Sequence, residues 1–479
     1  MNKSIIRYIL SRVLQFEAVF LLLPVIVSLI YKEKDGLCFL IVSLCALALG
    51  TLGSRFLPKS KVFYAREGFV TVSLSWILIS LVGAIPFVIT GAIPSYVDAV
   101  FETVSGFTTT GASILTDVEA MSYTCMFWRC FTNWIGGMGV LVFIMAVVPL
   151  SGSHNMHLMK AESPGPDVGK LVPKVKDTAK ILYGMYMGLT GVLIISLLIA
   201  KVPLFDAFVL SFSTMGTGGF GRWNASLGAY STAVQTIVII FMILCGVNFN
   251  AYFLIIKGKI KDFFKIEEIR TYLLILLAGA VIITLLVRGN YSSYGEAFHH
   301  ASFQIASIMS TTGFSTADFD LWPTLAKTIL VCTMVIGGCA GATAGGIKVS
   351  RLLLLFRTIG RELSHLTHPR SVRKIRMDSQ PVLEETIKGV QSFFIAYAIL
   401  VILSTIIVSI DNFDFQTSFT SVISMAGNIG PGLGMVGPTG NYSQFSDCSK
   451  IVLIFDMLAG RLEIFPMLVL FYAGTWRKS

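Results

Sequence analysis

The chain has 479 residues, 54% of them hydrophobic and only 13% charged, with a formal net charge of +10. A mean hydropathy of +0.76 and recurrent apolar stretches of about 20 residues, enough to cross a ~30 Å hydrocarbon layer, exclude a soluble multidomain protein and indicate a polytopic membrane protein. The positive charge follows the connecting segments instead of forming a nucleic-acid face. The eight cysteines lie in or beside apolar spans without CxxC spacing, so they read as small buried hydrophobes, not disulfides or metal ligands.

Residues 5–30 and 37–57 are expected to form a helical hairpin, turned by Tyr31-Lys32-Glu33-Lys34-Asp35-Gly36. The first span lacks a small-residue cleavage site and reads as a retained helix, not a removable signal. A unit of span, short apolar piece, polar loop and span then recurs four times. The first copy runs 69–91, a piece from Asp98, loop, 125–149; the second 181–200, 205–215, loop, 233–256. The third runs 270–288, 297–309, loop, 325–357; the fourth 389–410, 415–426, loop, 449–473. The expected division is a hairpin at 1–60 and repeats at 61–152, 153–258, 259–370 and 371–479. Each short piece has about 10–14 residues, too few to cross, and should enter and return. Irregular backbone at that depth is tolerated only inside protein or against a watery cavity. The fold class expected is therefore all-α, with four span–pore loop–span repeats in pseudo-fourfold arrangement plus the N-terminal hairpin.

With the N-terminus inside, cytoplasmic segments hold 27 of the 37 Lys and Arg residues and outer segments seven. That bias orients the chain and puts all four loops outside.

The loops align on Gly111, Gly219, Gly313 and Gly430, spaced 108, 94 and 117 residues apart. Each has serine six positions earlier (Ser105, Ser213, Ser307, Ser424) and Thr or Asn two positions earlier (Thr109, Thr217, Thr311, Asn428). Thr110, Gly218, Thr312 and Ile429 complete the four triplets. A half-helix entering from outside directs its partially negative C-terminus toward the membrane centre, and glycine lets the following backbone turn carbonyl oxygens inward. Four such strands about one axis can replace the water shell of a monovalent cation. Divalent cations would call for carboxylates and anions for Arg, Lys or amide donors, and the loops carry neither acidic nor basic residues, so K⁺ or a similar ion is expected to pass. Any single copy also reads as a Gly/Thr helix-packing surface; four in register, each after a half-length helix, favour the pore.

These loops resemble the filter motifs of the Trk/Ktr/HKT superfamily of potassium transporters. The resemblance lies in Ser105–Ala112, Thr217–Phe220, Ser310–Phe314 and Asn428–Gly434 and extends over essentially the whole chain. Hairpin and length are similar to the bacterial TrkH branch. The resemblance implies K⁺ preference, since all four filter positions are glycine where serine in the first loop is associated with Na⁺ permeation. It further implies a homodimer, and cytosolic RCK-type nucleotide-binding subunits docking on the basic inner loops. No nucleotide fold lies in this chain, and K⁺ is expected as transported ion with no organic cofactor. Asn428 and Ile429 depart from a simple Thr-x-Gly pattern.

Two further stretches stand out. The third repeat's last span carries Gly337, Gly338, Gly341, Gly345, Gly346 and Lys348. Glycines cost about 0.8–1 kcal/mol each in a helix, so an interrupted helix with a flexible middle is expected. A P-loop fails because Ile347 separates Gly346 from Lys348, while close packing of small residues is the structural alternative. The resemblance implies a movable intramembrane loop that obstructs the pore. Arg461, near the middle of the last span, reads either as a pore-facing electrostatic barrier or as the partner of Asp456, Glu463 or another acid. The pairs His154/His157 and His365/His368 read as solvated surface. The run Arg370–Arg376 reads as a contact with the inner leaflet or a partner. Nothing resembles a nucleophile–base triad, so an enzyme is not expected. The rival functions are a Na⁺-permeable or unselective cation pathway, and a secondary transporter of a small solute, which would call for inverted repeats and a midplane pocket.

Overall fold

The structure, a computed structural model, describes residues 1–58, 64–139, 175–371 and 373–477. It is all-α apart from a two-residue antiparallel pairing of Arg376–Met377 with Gln380–Pro381. The N-terminal hairpin consists of Lys3–Phe20, Leu22–Tyr31 and the returning Gly36–Arg55. The joint at Leu21 has a simple cause: Pro24 has no N–H to offer the carbonyl four residues back.

The four repeats follow. Leading helices span Ala65–Ile89, Val175–Ile199, Glu267–Val287 and Glu384–Val408; half-helices span Tyr96–Phe107, Leu204–Gly216, Tyr294–Met309 and Phe415–Gly427. The half-helices have 12 to 16 residues, about 18–24 Å at 1.5 Å per residue, which falls short of a crossing. Three of them begin on a side-chain cap, Ser95, Ser293 and Asp414 accepting from the N–H groups of Asp98, Glu296 and Thr417.

Trailing helices begin at Tyr123, Thr232, Thr324 and Asp447. The sequence predicts continuous spans over 233–256 and 449–473, and both are broken instead. The second bends by 97° between Thr232–Cys245 and Phe249–Ile256, where the Asn248 side chain accepts from Asn250 N–H and starts a new helix. The fourth stops at Arg461 and restarts at Phe465, because Glu463 and Ile464 are both left-handed and Pro466 opens the next segment. The third is interrupted between Ile336 and Val349, as the glycines predict. The first is helical over Tyr123–Gly137; residues 140–149 of the predicted 125–149 span, and His154 and His157, lie outside the described residues. His365 and His368 are exposed.

On the side where the loops lie the repeats are stitched in a cycle. Val118 N–H donates to Asn224 (2.8 Å), Leu227 N–H to the Ser315 carbonyl (3.0 Å), Gly434 N–H to Asp320 (3.2 Å) and Tyr442 N–H to the Ser113 carbonyl (2.9 Å). An ion pair between Lys450 and Asp98 at 2.6 Å also ties the fourth repeat to the first.

The hairpin docks through its turn. Glu33 accepts from the N–H groups of Tyr123 and Thr124, both at 2.9 Å, and from the Thr124 hydroxyl at 2.5 Å, so a carboxylate caps the first trailing helix. Glu33→Gln should lower stability by about 1–2 kcal/mol, read as a lower apparent Tm in detergent, while the exposed neighbour Lys34→Gln leaves it unchanged.

Candidate ion pathway

After each half-helix the chain makes the same turn. The carbonyls of Ser105, Ser213, Ser307 and Ser424 accept the N–H groups of Thr110, Gly218, Thr312 and Ile429 at 2.8, 2.8, 2.8 and 3.0 Å. The residue between turn and triplet end, Thr109, Thr217, Thr311 or Asn428, is left-handed, with φ between 54° and 56°. The glycine two positions on also has positive φ, from 69° at Gly219 to 101° at Gly430.

The four turns close on one another. A methyl group at Gly111 would strike the Gly218 carbonyl oxygen, one at Gly219 that of Thr312, one at Gly313 that of Ile429, and one at Gly430 that of Thr110. Four buried carbonyls therefore gather in a ring, each against the next loop's glycine. Among the described residues none of them accepts a hydrogen bond from protein. Buried main-chain oxygens are rarely left unpaired, and a ring of them is a suitable ligand set for a dehydrated monovalent cation. Asn428 departs from threonine because its amide bridges two repeats, donating to Thr110 Oγ1 (3.0 Å) and the Met457 carbonyl (2.9 Å).

The glycine-rich loop lies directly beneath. Gly345 N–H donates to Thr311 Oγ1 at 2.7 Å, and a Cβ on Gly345 would meet the Gly427 carbonyl. Gly337 and Gly346 pack back to back, Gly338 against Ala344, and Gly341 faces Asn248. The break in the second trailing helix receives this loop: Cys339 N–H donates to the Gly246 carbonyl (2.9 Å) and Phe249 N–H to that of Gly341 (3.0 Å). Lys348 is buried, with φ 87°, and its ammonium donates to the Ala344 carbonyl.

Arg461 reaches the loop from the fourth repeat. Its guanidinium donates to the carbonyls of Thr343 (2.6 Å), Gly136 (2.5 Å) and Gly137 (2.8 Å), binding three repeats together. Of its expected partners, Glu463 pairs with Arg351 and Asp456 accepts from Ser404.

The sequence reading missed two charged side chains. Glu268 accepts from Ala340 N–H (2.7 Å) and Ser350 N–H (3.1 Å), fastening both sides of the loop. Arg129 pairs with Glu102 at 2.6 Å, both buried, and also donates to the Gly221 carbonyl and covers the Phe220 ring. Glu102 in turn accepts from Ile114 N–H, so this pair braces the exits of loops one and two. An arginine inside an apolar span was the available signal. Arg129→Met should destabilise the protein by about 3–5 kcal/mol by stranding Glu102, and adding Glu102→Leu should restore part of that loss; thermal unfolding of the two singles and the double checks it.

Residues 39–477 match the family described as "TrkH: Cation transport protein". The Trk system potassium uptake protein TrkH of Salmonella typhimurium is 37% identical over 468 residues, covering 96% of each chain. Its Escherichia coli counterpart is 36% identical at the same coverage. The crystal structure of the potassium transporter TrkH from Vibrio parahaemolyticus is similar over 100% of both chains, with a TM-score of 0.90 at 32% identity. With a family match over nearly its whole length, this chain belongs to the TrkH family of cation transport proteins.

Proposed function

We propose that this chain is the membrane subunit of a potassium uptake system in a bacterial cytoplasmic membrane, and that K⁺ passes through the ring at Gly111, Gly219, Gly313 and Gly430. The observation that carries this reading is the set of four buried carbonyls, Thr110, Gly218, Thr312 and Ile429, converging with no protein donor among the described residues. Neutral oxygens suit a weakly hydrated monovalent cation, whereas a divalent ion would call for carboxylates. The relatives' names, potassium uptake proteins, support the choice of ion.

Lys and Arg distribution supports an inside N-terminus, so that the membrane potential drives cations inward by ~2.3 kcal/mol per charge per 100 mV. An ungated pathway would dissipate that potential. The loop from Gly337 to Lys348 is the gate in this proposal, held shut by Thr311, Glu268 and Arg461, with the Lys348 and Arg461 charges opposing cations below the ring. Control comes from a separate cytosolic RCK-type nucleotide-binding ring on the basic face, and the working unit is a homodimer.

Gly111→Ser should disturb the Gly218 carbonyl and raise the Na⁺/K⁺ permeability ratio by about tenfold, the equivalent of ~1.4 kcal/mol; paired Na⁺ and Rb⁺ flux assays in liposomes measure it. Na⁺ flux matching K⁺ flux in the unaltered protein would reject K⁺ selectivity. Removing part of 337–346 should raise basal Rb⁺ uptake several-fold, and unchanged uptake would exclude this loop as the gate.

A further inference from the structure

The helix Val349–Thr367, which leaves the glycine-rich loop, carries two unlike faces, one apolar and one basic. Phe356, Ile359, Leu363 and Leu366 are 57–77% exposed and fall on a single stripe by their spacing. Beside that stripe a cavity of about 590 Å³ is lined by five cationic side chains, Arg357, Arg361, Arg373, Lys374 and Arg376, and by one carboxylate, Glu267. Arg357 is held by Glu267 and Arg361 by Glu384, each at 2.6 Å. Among the described residues Arg373, Lys374 and Arg376 have no ion pair, which leaves three charges uncompensated around the opening.

The depth of the cavity is set by those two ion pairs. Glu267 and Glu384 are the first residues of the third and fourth leading helices, so the cavity sits where two apolar spans enter the hydrocarbon, at headgroup level. Gly360 lines the cavity between the basic and apolar faces, and a Cβ there would meet nothing within 4 Å. A cationic hollow at that level, continuous with an exposed apolar stripe, matches a molecule that is anionic at one end and apolar along its length.

We propose that this cavity binds the phosphate of an anionic phospholipid, with the acyl chains lying along Phe356, Ile359, Leu363 and Leu366. Arg373, Lys374 and Arg376 supply charge-assisted hydrogen bonds to the phosphate oxygens. Zwitterionic lipid is disfavoured because its own ammonium meets the same three cations.

The test reads binding without ion flux, so it is independent of the transport reading. Full-length protein in detergent is titrated with cardiolipin or phosphatidylcholine and followed by native mass spectrometry. Cardiolipin should be retained at least tenfold more strongly. Replacing Arg373, Lys374 and Arg376 together by glutamine should weaken it about tenfold, and so should Gly360→Phe, which keeps every charge and replaces glycine by a better helix former. Equal retention of both lipids, or undiminished cardiolipin binding in both variants, overturns the site. Inorganic pyrophosphate or a poly-glutamate peptide that displaces cardiolipin at equal concentration overturns the lipid assignment in favour of a soluble phosphate or an acidic partner segment; failure of both to compete supports it.

Discussion

Four non-glycine residues held left-handed, Thr109, Thr217, Thr311 and Asn428, are the constraint from which the centre of this protein follows. A β-branched residue at positive φ is an outlier, costing roughly 1–3 kcal/mol, and persists only where the surroundings over-determine it. Here the surroundings are the serine carbonyl that captures the next N–H and the half-helix that fixes the serine. Once the chain has turned left, the following carbonyl no longer continues the helix and points across to the neighbouring repeat. Glycine must then occupy the next corner, because the oxygen of the adjacent loop lies where its Cβ would be. Strain in each loop is offset by closure of the ring.

The same turn joins the ring to the loop beneath it. Thr311, one of the left-handed residues, also accepts from Gly345 N–H, and the Gly427 carbonyl just before Asn428 bounds Gly345 on the other side. Any displacement of Gly345 removes a partner from a threonine of the ring. Arg461 gathers carbonyls from the first and third repeats at the same level. The ring and the segment below it are therefore one hydrogen-bonded body, not two devices in series.

What the sequence could show was whatever repeats. Serine six positions before glycine appears four times, and that alignment locates the turns and the half-helices, while the interruption at 337–346 shows through its glycines alone. Asymmetric features left weaker traces. The break after Cys245 rests on Gly246 and Asn248, common enough residues, and on backbone bonds to a loop some 90 residues later in the chain. The break after Arg461 was marked only by Pro466, since nothing about Glu463 and Ile464 as residue types announces left-handed backbone. Arg461 was recognisable as a charge in an apolar span, but its partners were not. Three main-chain carbonyls from distant segments have no side-chain signature, whereas the acids nearby in sequence, Asp456 and Glu463, do have one but bind Ser404 and Arg351.

Pseudo-symmetry ends at the ring for a physical reason. Closure of the ring, each carbonyl against the next loop's glycine, places the same demand on each quarter, and the four turns agree within 2° in φ at their left-handed residue. No such demand acts a turn lower, and there the repeats of a single chain are free to diverge. The second trailing helix bends to make a socket, the third opens into the loop that fills it, and the fourth stops early to offer a guanidinium. A homotetramer could not divide the work in this way, since any loop able to reach the axis from one subunit would be present four times and would compete for the same space. Fusing four repeats into one chain allows a fourfold ring above a single asymmetric loop.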